Sequence, residues 1–112
     1  MKVVLNQQMQ DEFGLPVKQP GRPPMTLKDV MVTALLTPIK EEEEKQKQEK
    51  WEIFKKIRNE KEETDLTTDE ISLTKKLIGK FYPQMLMGEA HEMLEGKYEP
   101  MLVSEVKESK IE

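Results

Sequence analysis

The first clear pattern in the chain is an amphipathic helix that follows Thr26. Apolar residues recur there at i, i+3, i+4, i+7 and i+8, the spacing that places side chains on one side of a helix. They are Leu27, Val30, Met31, Ala34 and Leu35. Thr26 is a suitable N-cap, and Asp29 completes an acidic form of the capping box. Pro38 ends the segment, because the residue before a proline is pushed away from helical angles. We expect this helix to be the most buried one.

A full capping box marks the start of a later helix. Thr67 is followed three residues later by Glu70, and Leu66 before the cap can pack on Ile71 beyond it. The predicted apolar side of this helix continues through Leu73, Leu77, Ile78 and Phe81. Pro83 ends the helix, since proline cannot continue the hydrogen-bond ladder.

A further helix is predicted from about Pro83 to Glu95, with Gly96 as its C-terminal stop. Its inward side chains are predicted to be Met85, Leu86, Ala90, Met93 and Leu94. Gly88 lies within this helix and lowers its stability by up to ~1 kcal/mol relative to alanine.

The segment from about Lys40 to Arg58 predicts a long, charged helix between these elements. Its first half has no apolar side, so we expect that half to project into solvent. Its second half has an apolar side and is the part expected to pack on the core, through Trp51, Phe54 and Ile57, with Ile53 flanking them.

The two ends of the chain lack a helical pattern. Pro16 and the proline cluster at 20–24 exclude a helix near the N-terminus, where Lys2–Gln8 returning as Leu15–Lys18 would make a small hairpin. The fold class expected is mainly α. It comprises a bundle of about four helices over 26–96, an irregular or β-hairpin arm with a proline-rich linker over 1–25, and a flexible, partly disordered acidic tail over 97–112. Within that tail, residues 101–103 suit a short strand.

Composition narrows the functional classes. The chain has 112 residues, enough for one domain, and its formal net charge of −4 argues against bulk attraction to a phosphate backbone. It has no cysteine, which excludes disulfides and thiolate chemistry. Neither a signal peptide nor an apolar run of about 20 residues is present in the printed sequence, so we expect a cytoplasmic protein with no membrane partner.

No constellation of residues predicts an enzyme, a metal site or a cofactor. His91 is the single histidine; the residue at i+4 is Glu95, whereas the zinc-protease helix needs a second histidine there. We expect His91 to be a surface helix residue. The alternating acids in 65–70 resemble a calcium loop but lack its glycine and its final glutamate, and helix capping explains them better. No glycine-rich phosphate loop occurs.

Two groups of side chains remain as candidates for binding. Trp51, Phe54 and Met87 could form a protein interface, because aromatic and methionine side chains are common at adaptable contact surfaces. The second group is basic and could form a patch for an anionic partner. Its members are Lys55, Lys56, Arg58, Lys75, Lys76 and Lys80.

The order of segments resembles a set of small, uncharacterised helical proteins encoded by bacteriophages and prophages. The similar features are the helix from Thr26 to Pro38 and the block from Asp65 to Gly96, of which Leu77–Pro83 is the most typical part. The resemblance implies a viral accessory protein, acting in the host cytoplasm, and carries no catalytic motif.

Three functional hypotheses follow. The first is a non-enzymatic protein-binding module, a phage-encoded accessory or regulatory protein that acts through a protein partner. The second is a nucleic-acid-associated factor that uses the lysines of the second and third helices. The third is a self-assembling structural or scaffold component, in which the second helix pairs between copies.

Overall fold

The computed structural model describes residues 1–100, which contain four α-helices and one small sheet. The helices are α1 (Leu27–Leu36), α2 (Glu44–Arg58), α3 (Thr68–Phe81) and α4 (Gln84–Glu95). The strands are β1 (Lys2–Val4) and β2 (Glu63–Asp65). The predicted fold class, mainly α with about four helices, is confirmed. The strand and tail predicted within 101–112 lie outside the described residues.

The predicted helix boundaries are confirmed where capping residues set them. The Thr26 side chain accepts from the Asp29 N–H at the start of α1, and Thr67 does the same for Glu70 at the start of α3; both capping boxes are complete. At the end of α4, Gly96 has φ +74°, the left-handed conformation that favours glycine at a helix terminus.

Helix α2 begins at Glu44, four residues later than the predicted start at Lys40. The intervening residues turn, and Glu41 has φ 62°, a left-handed conformation that is uncommon for a residue with a side chain. The turn directs the Glu42 carboxylate back to the Lys50 ammonium at 3.0 Å. A helix through these residues would break that ion pair, so tertiary contact overrides the helical tendency of the glutamate run.

Strand β1 pairs in antiparallel orientation with β2, and Val3 lies opposite Thr64. The predicted pairing of Lys2–Gln8 with Leu15–Lys18 is therefore wrong, and the chain returns at Pro16 and Val17 onto Met9 and Gln10 instead. There Val17 N–H donates to the Met9 carbonyl at 3.0 Å, and Gln10 is bridged to Pro16. The first 25 residues are thus tied to themselves and to the segment before α3.

A single hydrophobic core lies between the sheet and the helices. Helix α1 packs against α2, α3 and α4, and α4 also packs against β1. The buried side chains include the N-terminal residues Val3, Leu5 and Met9, together with Leu27, Val30, Met31, Ala34 and Leu35 from α1. Burial of the Leu27–Leu35 side of α1 is as the apolar spacing predicts. No helix within residues 1–100 has the length and apolar character needed to cross a bilayer.

Candidate protein-binding surface

Helix α2 packs on the core through a line of side chains different from the predicted one. Lys50, Ile53 and Ile57 are buried, whereas Trp51 is 47% exposed and Phe54 is half-buried. The expectation that Trp51 packs together with Ile57 on the core is therefore wrong. The reason is the buried Lys50–Glu42 pair: once the Lys50 stem occupies the core side, the next residue along the helix points about 100° away from it.

The side chains beside this buried line form a second line, the outer stripe of α2, which consists of Lys47, Trp51, Phe54 and Arg58. Their spacing of i, i+4, i+7 and i+11 keeps them on one side of the helix. The Trp51 and Phe54 ring centroids are 5.5 Å apart, with the ring planes tilted by 38°. The Arg58 guanidinium carbon lies 5.8 Å from the Trp51 centroid and 5.9 Å from the Phe54 centroid, within the range of cation–π attraction. These contacts hold an exposed indole in a defined position.

The outer stripe borders the exposed edge of α1. On α1, Lys28, Val32 and Leu36 follow one another at intervals of four residues and so lie on one side. The Lys28 ammonium donates to the backbone carbonyls of Arg58 at 3.2 Å and Glu60 at 2.7 Å, which brings this edge to the end of α2. Val32 packs on the core and Leu36 is 51% exposed. Val32 and Leu36 thus share the side of α1 whose lysine contacts the C-terminal end of α2.

The middle of α2 is fixed by the Lys50 ammonium. Its Nζ lies 3.0 Å from Glu42 Oε2 and donates to the Thr37 carbonyl at 3.0 Å. The two side chains are only 6% and 2% exposed, so water screens their attraction weakly. This pair joins the end of α1, the intervening turn and α2, and it holds the outer stripe on a rigid element.

Met87, the third predicted interface residue, lies in the packing of α4 against α3. A methyl group added at Gly79 would lie 3.4 Å from the Met87 sulfur. The Met87 side chain is half-buried against the core. The structure brings Trp51 and Phe54 together and places Met87 on another pair of helices. The predicted interface therefore reduces to its two aromatic members.

Most cations of the predicted basic patch lie close to carboxylates. Lys56 Nζ lies 2.6 Å from Glu70 Oε1, and Lys55 Nζ lies 3.1 Å from a Glu52 oxygen. Burial opposes the ionised form of Glu70, but the hydrogen bonds from Lys56 and from the Thr67 backbone outweigh it and lower the pKa of Glu70.

The remaining members of that patch also face acids or rings. Lys75 pairs with Glu95 and thereby lowers the pKa of that carboxyl. Lys76 and Lys80 line a cleft of about 350 Å³ opposite Glu41, Glu42 and Glu43. Arg58 lies on the outer stripe, so the six predicted cations do not form one uniform basic surface.

His91 has a structural role that the sequence did not reveal. It is half-buried, and its Nε2 donates to the Lys75 backbone carbonyl at 2.8 Å, which links α4 to α3. Our expectation of a surface residue is wrong, because the packing of α4 on α3 covers this position. Within residues 1–100, no three His, Asp or Glu side chains are grouped in a way that could hold a metal ion.

A half-buried polar cluster around Glu89 was also missed. Its Oε1 accepts from the Gln10 N–H at 3.1 Å and from the Tyr98 hydroxyl at 3.0 Å, and the same hydroxyl lies 2.9 Å from Gln10 Oε1. Burial raises the pKa of the Glu89 carboxyl, and burial together with Glu89 raises the pKa of Tyr98. The partners are 79 and 88 residues apart along the chain, so no local pattern could have identified the cluster.

Comparison with known proteins identified no relative of the chain. No family model, no curated protein and no solved structure matches the chain. The interpretation of the surface therefore rests on its own residues, of which the exposed Trp51 beside Phe54 and Arg58 is the most distinctive feature.

Proposed function

We propose that this chain is a non-enzymatic protein-binding module that docks a protein partner on the outer stripe of α2. The observation that supports the proposal is the position of Trp51, which is 47% exposed and held by Phe54 and Arg58 on a helix that Lys50 ties at its middle and Lys28 at its C-terminal end. Tryptophan and arginine are the residue types that dominate the binding energy of interfaces. A ring already fixed in place loses little conformational entropy on binding.

The distribution of charge supports a protein partner over a nucleic acid. Of the six predicted cations, Lys55, Lys56 and Lys75 pair with carboxylates. Lys76 and Lys80 face carboxylates across a cleft. Together with the net charge of −4, this leaves little free positive surface for a phosphate backbone. An accessory role for a phage, which the sequence resemblance implies, is part of the same proposal.

Affinity capture with matched baits tests the proposal. The purified chain, Trp51→Ala and Met85→Ala are each immobilised and exposed to the same lysate, since Met85 is an apolar side chain of α4 with 39% exposure. We expect at least one protein that the wild type and Met85→Ala retain and Trp51→Ala loses. Truncation of a central tryptophan costs about 2 kcal/mol or more, roughly a 30-fold loss of affinity.

The same protein, once purified, must then change the emission of Trp51 on binding; the chain has only one tryptophan, so the signal comes from the proposed surface. Equal recovery by all three baits would contradict the proposal. Light scattering supplies the other decisive outcome, for which we expect a monomer. A dimer that Trp51→Ala dissociates would replace the proposal with self-assembly.

A further inference from the structure

The outer stripe has a cation at each end and aromatic rings between them. Lys47 and Arg58 are separated by eleven positions of α2, a distance of about 16 Å along a helix. Among the described residues, neither makes an ion pair with a carboxylate. Arg58 lies over the rings of Trp51 and Phe54, and a guanidinium held in this way still has N–H groups for a carboxylate.

The acidic side chains of α2 lie mostly on other sides of the helix. Glu49 and Glu52 line the cleft toward α3, where Asp69 and Glu70 also lie. Glu43 and Glu44 are in line with the stripe but stand at the start of the helix, beyond Lys47. A ligand that covers the two rings therefore meets positive charge at both ends, whereas a longer polyanion would approach these carboxylates.

Between the two cations, the outer stripe is apolar. Trp51 is 47% exposed, and Phe54 is partly buried against the core. An amphipathic helix laid along α2 could cover this area with side chains at i, i+3, i+4 and i+7. Carboxylates one turn before and after those positions would then come within reach of the two cations.

Resting on the proposed function, we infer that the partner presents an acidic amphipathic helix of about three turns to the outer stripe of α2. Its apolar side chains pack on the rings of Trp51 and Phe54. Its carboxylates pair with Lys47 and Arg58, and the planar guanidinium of Arg58 suits a carboxylate in bidentate geometry.

Synthetic peptides of defined charge test this inference without knowledge of the partner. The first probe is a helical peptide of about 15 residues, long enough to be partly helical in water, with leucines at i, i+3, i+4 and i+7 and glutamates elsewhere. The second has lysine in place of each glutamate, and neither contains tryptophan. We expect the acidic peptide to change the emission of Trp51 saturably and the basic peptide to have at least about tenfold lower affinity.

Charge reversal supplies the matched variants. Lys47→Glu with Arg58→Glu should weaken the acidic peptide at least about tenfold and should gain affinity for the basic peptide, a gain that an unfolded variant would not give. The control, Lys76→Glu with Lys80→Glu, reverses two exposed cations of α3 and should leave acidic-peptide affinity within about twofold.

Two results would overturn the inference. One is equal affinity for the acidic and the basic peptide; the other is stronger quenching of Trp51 by a single-stranded oligonucleotide than by the acidic peptide. A competition experiment between the acidic peptide and a captured protein distinguishes failure of this inference from failure of the proposed function. If a captured protein depends on Trp51 but the acidic peptide does not displace it, the surface binds protein and only the assigned partner chemistry is wrong.

Discussion

Removal of the Lys50 ammonium tests how α2 is attached to the rest of the fold. The Lys50 and Glu42 side chains are 6% and 2% exposed, and their charged atoms are 3.0 Å apart. Lys50→Met preserves most of the aliphatic stem but leaves the Glu42 carboxylate without a cation in a site closed to water. Removal of one member of a buried ion pair costs about 3–5 kcal/mol of the free energy of unfolding.

That loss is large beside the stability of a domain of this size, about 5–15 kcal/mol. Urea unfolding, followed by far-UV circular dichroism and by Trp51 emission, measures it directly, and each kcal/mol also lowers the Tm by roughly 4–8 °C. The matched control is Lys55→Met, which removes a cation from the same helix. Its partner is Glu52, and the two side chains are 42% and 62% exposed, so the loss should not exceed about 1 kcal/mol.

A double variant separates the unpaired charge from lost packing. Lys50→Met combined with Glu42→Met replaces the whole pair with apolar side chains, an exchange that is often neutral or stabilising in other proteins. We therefore expect the double variant to recover most of the stability that Lys50→Met loses, with a coupling free energy of about 2 kcal/mol or more. If Lys50→Met and Lys55→Met lower stability equally, burial does not set the strength of this pair and the reasoning is refuted.

Three further predictions address local features. Thr67→Ala removes the N-cap of α3 and should cost about 1 kcal/mol in urea unfolding, whereas the exposed neighbour Thr68→Ala should change stability by less than about 0.5 kcal/mol. Glu41→Gly should raise stability by up to about 1 kcal/mol, because glycine adopts the left-handed conformation at φ 62° without strain. The greater entropy of glycine in the unfolded chain offsets part of this gain. A loss of stability would show that the Glu41 side chain contributes more than the strain costs. The pKa of Glu89 is raised in the folded protein, so the folded state keeps a proton that the unfolded state loses as pH rises above the ordinary value of 4.5. Stability therefore falls with rising pH in that range. Glu89→Gln should flatten that slope above about pH 4.5 and raise stability at neutral pH; an unchanged slope in Tm against pH would assign the titration to other groups.

Local sequence patterns predicted the parts of the fold that depend on neighbours within about four residues. The capping boxes at Thr26 and Thr67 and the terminal Gly96 all involve such short-range contacts. The buried side of α1 followed from apolar spacing for the same reason. These features require no knowledge of the tertiary structure, which is why the sequence alone predicts them.

The features that the sequence did not reveal depend on contacts between residues far apart in the chain or on the burial of a charged side chain. The pairing of Val3 with Thr64 joins segments about 60 residues apart, and no turn between them signals it. Hydropathy also assigns a lysine to the solvent side of a helix, so the sequence did not indicate that Lys50, rather than Trp51, is buried in α2. The candidate surface was thus predicted in residue type, through Trp51 and Phe54, but not in which side of the helix faces the core.

The orientation of α2 explains why Trp51 remains exposed in a fold that has a hydrophobic core to receive it. The buried line Lys50, Ile53 and Ile57 precedes the outer stripe by one residue, so moving Trp51 inward requires a rotation of the helix by about 100°. That rotation would separate Lys50 from Glu42 and withdraw Ile53 and Ile57 from the core. At the far end it would also disturb the carbonyls of Arg58 and Glu60 that accept from Lys28, a cation favourably placed near a helix C-terminus. The contacts of Lys50 at the middle of α2 and of Lys28 at its C-terminal end therefore keep the ring exposed. A partner that covers the ring gains its burial without first having to order the helix.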